Sequence, residues 1–339
     1  MPQPPIELHK YLASPLPQLR EQYPPGTGGT GPRESWEGNL KGVEVIEGFE
    51  GKVQEFLEKL PTEPVPAHPH HKYPKSVQAL PGLPSVIKSP ADLQQCLSTL
   101  PLAAIGAVLT ALEASDADVD LRPMAQKLDA SGYESDGGEE LHVHKPDDGQ
   151  TKAWHWRYAK SPLGSGEFHL LQQGSDKVHM VVRTINSSAF TPHDWNEYVV
   201  SGPYYYNTKS KASWYWSRTW GATKRLECQY WVLTDWQRWS FGCFGSDRTH
   251  GLVSPLKTYD NTSPSVVGCL LYWAKSAMGA EGGFKPNPKD VSNLPELFPA
   301  NPARRVSVSG GRPSTGTNKV KAANESDIEE SDAEAGDGA

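Results

Sequence analysis

The chain has 339 residues, 37% of them apolar, with 31 glycines and 30 prolines. So polar and Gly/Pro-rich a chain cannot bury a core along its whole length, and one folded domain between long disordered segments is the expectation. The net charge of −7 is segregated: residues 89–150 hold 3 Lys/Arg against 12 Asp/Glu, and residues 151–303 hold 16 against 11. That pattern fits mixed solvated faces, or an acidic segment that shields a mildly basic surface. The opening MPQPPIELHKYL lacks an apolar signal-peptide core, and no apolar run approaches 18 residues, so neither secretion nor a membrane span is expected. Cys96, Cys228, Cys243 and Cys269 form no CxxC pair and read as buried free thiols of a reducing compartment.

Taken in chain order, residues 1–88 are expected to be mostly disordered, with residues 1–40 flexible. A short amphipathic helix is predicted at 49–60, where Phe49, Val53, Phe56, Leu57 and Leu60 share a face, and a Pro-rich linker follows. A single domain spans 89–280. Its first helix starts at Ser89-Pro90, an N-cap followed by a residue suited to the first turn, and runs toward Glu113 with a break or kink at Pro101. Residues 115–150 read as an acidic loop. From Ala153 the period becomes two. Strands are predicted at 153–158, 167–173, 177–185, 197–206, 212–220, 226–234 and 237–244, the last two joined at Asp235-Trp236. Helix 264–278 closes the domain, capped by Ser263, opened by Pro264 and stopped by Gly279, with Val267, Leu270, Leu271, Ala274 and Met278 facing the core. Residues 281–339 read as a disordered acidic tail. The fold class is α+β: a Trp-rich, mainly antiparallel sheet against two or three helices. Ten of the eleven tryptophans fall between Trp154 and Trp273, which locates the folded heart.

Several motifs fail on chemistry. PPGTGGT at 24–30 lacks the Lys-Ser/Thr of a phosphate loop. Asp116, Asp118 and Asp120 open like a calcium loop, but Leu121 and Lys127 stand where Gly and Glu are needed. His142 and His144, and His68, His70 and His71, lack Cys partners at ligand spacing, so neither metal nor cofactor is expected.

The strongest constellation is YYYNTKSKASWYWSRTWGATKR at 204–225, with seven aromatics, five Lys/Arg and no acid. Aromatic faces stack on bases while cations follow phosphates, the combination that grips a single strand. The candidate binding residues are Tyr204, Tyr205, Lys209, Lys211, Trp214, Trp216, Arg218, Lys224 and Arg225. The same segment also fits a hairpin whose Trp214, Trp216 and Trp220 face the core. Glu227-Cys228-Gln229 on an apolar strand is a partial match to the acid-x-Lys of PD-(D/E)xK nucleases, with Gln where Lys is needed. In the tail, Ser307 follows a basic pair, and Ser326 and Ser331 precede acids; all three resemble phosphorylation sites.

WNEYVVSGPYYY, LECQYWVLTDWQRWSFGCF and VSPLKTYDNTSPSVVGCLLYWAKSAMG, across about residues 195–280, resemble a lineage-restricted family of mushroom-forming (agaricomycete) fungi. The resemblance implies a soluble intracellular protein, cytoplasmic or nuclear, and transfers no catalytic residue. The expected function is a non-enzymatic binding module for a partner protein or single-stranded nucleic acid, away from membranes and of open oligomeric state. The alternative is a diverged, inactive nuclease-like enzyme.

Overall fold

A computed structural model describes residues 7–24, 40–61, 84, 86–113, 153–160, 166–199, 210–287, 291 and 293, all within the unit Met1–Ala300. The elements are α1 (Leu8–Leu12), β1 (Arg20–Glu21), β2 (Gly42–Val45), α2 (Phe49–Glu58), β3 (Val86–Ile87), α3 (Pro90–Leu97), a π-helical turn (Ser98–Leu102), α4 (Ala103–Glu113), β4 (Trp154–Ala159), β5 (Glu167–Gln172) and β6 (Met180–Thr184). They continue with α5 (Pro192–Tyr198), α6 (Lys211–Arg225), β7 (Tyr230–Thr234), β8 (Arg238–Phe244), β9 (His250–Val253), β10 (Lys257–Thr258) and α7 (Val266–Ala277). The fold is α+β around one eight-stranded mixed sheet of order β2-β9-β8-β7-β6-β5-β4, with β10 on β8. The pairs β2–β9 and β6–β7 are parallel and the others antiparallel.

Every residue of β6 and β7 is buried. Strands that read as continuous apolar runs need cover on both faces, and the sheet has it. The α1, α2, α3–α4 and α7 helices pack on one face. The crossover from β6 to β7, through α5 and α6, covers the other. Trp231 lies across Gly242, its partner in register, so that a Cβ at 242 would fall inside the indole.

The predicted helix at 89–113 holds. Ser89 and Asp92 form a capping box, and Pro101 is absorbed by the π-helical turn. By length and composition this helix could cross a bilayer. Ser98, Thr99 and Pro101 interrupt its apolar run, and most of the helix is buried in the core. Predicted helix 49–60 is α2, with Phe49, Val53 and Phe56 inward. Leu270 and Leu271 of α7 are fully buried, and Gly279 stops that helix at φ +77°. The α7 cap is Ser265, which accepts from Gly268 N at 3.0 Å, and not Ser263.

Three expectations are corrected. The strands predicted at 197–206 and 212–220 are helical where described: α5 runs through Tyr198 and α6 covers 211–225. Helices lie on both faces of the sheet, more than the two or three expected. The domain also begins well before residue 89. Leu8, Leu12, Leu16 and Leu19 are core residues and β2 is a sheet strand. Trp236 Nε1 donates to Pro17 O at 3.1 Å and Gln237 Nε2 to Leu19 O at 2.7 Å, so the β7–β8 turn clasps the N-terminal segment. The acidic loop 115–150, most of the Pro-rich linker and residues 294–339 of the expected 281–339 tail lie outside the described residues, whereas Phe284 and Val291 at the start of that tail pack into the fold.

Candidate functional site

Helix α6 starts at Ser210, whose Oγ accepts from Ser213 N at 3.1 Å, and buries Ala212, Tyr215, Trp216, Thr219, Trp220 and Thr223. The spacing of four between Trp216 and Trp220 puts both rings on the sheet side. Trp216 is stacked on Tyr198 at 4.7 Å and donates through Nε1 to Tyr198 O at 2.9 Å. Trp220 Nε1 donates to Arg248 O at 3.0 Å.

That arrangement closes most of the expected aromatic platform. Trp216 is fully buried and Arg218 nearly so. Trp214 is half-buried, with the Arg218 guanidinium 4.3 Å above its ring. Lys211 is half-exposed, 3.7 Å from Asp194 Oδ2. Lys224 is exposed, its Nζ 5.0 Å from the Trp220 ring centre, and Arg225 is exposed beside it. Tyr204, Tyr205, Lys209, Ser307, Ser326 and Ser331 lie outside the described residues. Among the described residues the exposed large apolar side chain is Tyr158, away from α6 on β4.

What the structure does gather beneath α6 is a charge cluster. Glu167 and His169 alternate on β5, so both point to the same face as Leu171, the α6 side. Arg183 is the register partner of Glu167 on β6. Glu167 Oε1 accepts from Arg225 Nη2 at 2.8 Å and lies 3.1 Å from His169 Nε2, and Arg183 Nε is 3.8 Å from Oε2. Glu167, His169 and Arg183 are all buried. Burial alone would raise the Glu167 carboxyl, but the His169 hydrogen bond and the charges of Arg183 and Arg225 outweigh it and lower it to about 2. Tyr215 joins from α6: burial pushes its hydroxyl up to about 12 against the opposing pull of Arg218 and Arg183. Among the described residues, Arg183 Nη1 and His169 Nδ1 are buried without a hydrogen-bond partner.

One signal for this cluster stood in the sequence: an acid and a histidine two apart on a predicted strand share a face. The partners come from other elements, Arg183 from β6 and Arg225 from the last turn of α6, which no local pattern around Glu167 shows.

Glu227, the acid of the nuclease-like match, is off the core strands. It is exposed in the turn between α6 and β7 at φ +53°. Cys96, Cys228, Cys243 and Cys269 are free and buried, as the sequence suggested, and burial pushes each thiol upward, to about 12 for Cys96, Cys228 and Cys269. Thiols so raised are inert as nucleophiles. No group of three or more His, Cys, Asp or Glu converges as a metal site among the described residues. No protein-family model, curated protein or solved structure matches the chain.

Proposed function

We propose that the protein is a non-enzymatic intracellular binding module that takes an anionic group of a partner protein or nucleic acid at the Arg183–Arg225 cluster. The observation that carries this reading is the charge imbalance beneath α6. Glu167 stands against both Arg183 and Arg225, Arg218 and Asp194 both act on Tyr215 beside them, and Lys224 lies on the adjoining surface. A buried excess of cations is costly unless an anion completes it. Arg183 Nη1 is the donor left over for that anion.

The tryptophans contribute stability here and not stacking, so the cations carry the recognition. The diverged-nuclease alternative needs carboxylates converging on a magnesium ion. Here the carboxylate is ringed by His169 and by the cations Arg183 and Arg225, and the two arginine charges oppose a divalent cation. The acidic segment 115–150 acts in this reading as an internal competitor for the same cluster. The resemblance to the agaricomycete family supports the intracellular setting.

Fluorescence anisotropy with a labelled single strand and a labelled acidic peptide, at low and moderate salt, tests the proposal. Binding by one of them should fall with salt, for a single strand with a slope of about −0.7 per neutralised phosphate. It should tighten when 115–150 is removed and weaken in Lys224→Glu. Absence of binding by both at low salt, with or without 115–150, would refute it.

A further inference from the structure

The sheet ends at β4, and part of that edge is open. Gln173 N donates to Ala153 O at 2.8 Å, and the β4–β5 register runs without a break to Ala159. In an antiparallel pair, alternate residues turn both N–H and C=O toward the same neighbour. Residues 153, 155, 157 and 159 therefore face β5, and Trp154, Trp156 and Tyr158 face outward. Helix α4 covers the first of these. Trp154 N donates to Thr110 Oγ1 at 2.9 Å, and a Cβ on Gly106 would stand 3.1 Å from Trp154 O. The outward backbone groups of Trp156, Tyr158 and Lys160, which follows in the same phase, make no hydrogen bond among the described residues.

An open edge is a template for another strand. Tyr158, the exposed large apolar side chain among the described residues, stands at the middle of this one, its ring tilted onto Phe168 at 5.2 Å. The sequence of the edge matches itself. If a second β4 runs antiparallel with Tyr158 opposite Tyr158, the outward-facing set meets the outward-facing set. Trp156 and Lys160 of each chain then meet Lys160 and Trp156 of the other. Each such pair exchanges two N–H···O bonds, about six in all. The charges agree with this register. Arg157 falls opposite Ala159, and the exposed Lys160 falls beside the half-buried Trp156, where cation–π attraction is available. Centring the pair on Arg157 instead would set two guanidinium groups directly opposite, which is destabilising. The pairing also ends cleanly. The next position, opposite Trp154, falls to Pro162, which has no N–H, and Trp154 N is already taken.

We propose that the chain forms a two-fold symmetric dimer through the outer edge of β4, with Tyr158 on the axis, so that the two sheets become one. Nothing in this edge depends on an anion at the α6 cluster.

Sedimentation velocity of the full chain, from micromolar to submillimolar concentration, should show a reversible monomer–dimer equilibrium. Tyr158→Pro removes an N–H that points away from the β4–β5 ladder, and proline is tolerated on an edge strand. It should weaken dimerisation about tenfold or more, the scale of two lost hydrogen bonds, with an unchanged far-ultraviolet circular dichroism spectrum. Cysteine cross-linking fixes the register, since the four native thiols are buried. Across a hydrogen-bonded pair the Cα atoms are about 5.5 Å apart, within disulfide reach, so Tyr158→Cys should cross-link to its copy on mild oxidation. Lys160→Cys lies opposite Trp156, four residues along the strand from its own copy, and should not cross-link. A monomer at every concentration, a Tyr158→Pro chain that dimerises as tightly as the unsubstituted one, or a Lys160→Cys chain that cross-links as fast as Tyr158→Cys would overturn the proposal. The sedimentation of the unsubstituted chain and the two cysteine variants decide it even if Tyr158→Pro fails to fold.

Discussion

Helices α7 and α6 are both buried nearly all round, yet their compositions are opposite. In α7, VVGCLLYWAKSA, the buried residues are almost all apolar. In α6, KASWYWSRTWGATKR, the buried set includes Ser213, Ser217, Arg218, Thr219 and Thr223. The faces beneath them differ in the same way. On the α7 side, Lys257 pairs with Glu50, and Lys275 with Glu113 at 3.5 Å. On the α6 side one carboxylate serves a histidine and two arginines. Burial of α7 follows from the hydrophobic effect alone. Burial of α6 does not, because Ser217 Oγ and Thr219 Oγ1 are enclosed without hydrogen-bond partners among the described residues. A polar interior kept at a cost in stability is where a binding function is expected.

The largest test of that contrast is Trp273→Ala in α7. Its ring is fully buried, and Nε1 lies 3.1 Å from Trp231 O and 3.0 Å from Gly242 O, both of which accept from it. Urea denaturation should show a loss of about 3–5 kcal/mol. Leu270→Ala should cost about 2–5 kcal/mol, and a loss under about 0.5 would mean that α7 does not anchor its face.

The next effect is electrostatic. Glu167→Gln should cost about 2 kcal/mol at neutral pH, discounted because the Arg225 side chain is half-exposed. The folded Glu167 carboxyl is lowered to about 2 from an ordinary 4.5. Its stabilisation is therefore complete above the unfolded value and is lost as pH falls from about 4.5 toward 2. Denaturation midpoints across that window should drop steeply in the unsubstituted chain and be flatter in Glu167→Gln. Glu21, on the α7 side, has the opposite sign: burial raises it to about 7. Its contribution favours the folded state below about 4.5 and is lost as pH rises toward 7, so Glu21→Gln should remove that decline. The smallest effect sharpens the contrast most. Ser217→Ala removes a buried hydroxyl without a partner among the described residues and should leave stability unchanged or raise it by about 1 kcal/mol. A loss above about 1 kcal/mol would show that the hydroxyl is satisfied after all.

The two helices also differ in how far the sequence reveals them. The stripe of Val267, Leu270, Leu271 and Ala274 is a plain helical period, and only the cap was misplaced by two residues. In α6 the local alternation of Trp214 and Trp216, in a segment rich in Trp, Tyr and Thr, imitates a strand. The spacing of four from Ala212 to Trp216 to Trp220, with Ser210 ahead as a cap, is the signal that outweighs it. The N-terminal segment misled through its prolines. Leu8, Leu12, Leu16 and Leu19 enter a core shared with α7, and the β7–β8 turn clasps the segment from more than 200 residues away in sequence. Arg183 and Arg225 reach Glu167 by the same kind of long-range placement, which is why the candidate site was half visible as Glu167 and His169 and no further.

In the proposed function Glu167 is a built-in counter-ion within a cluster that receives an anion. Calorimetric titration of tripolyphosphate into the unsubstituted chain and into Glu167→Gln, at low salt and neutral pH, separates that from a purely structural ion network. If Glu167 holds the place of a ligand anion, the variant is less stable yet binds tripolyphosphate several-fold more tightly. If the affinity falls or does not change, or if neither protein binds, the cluster serves the fold alone and the account is contradicted.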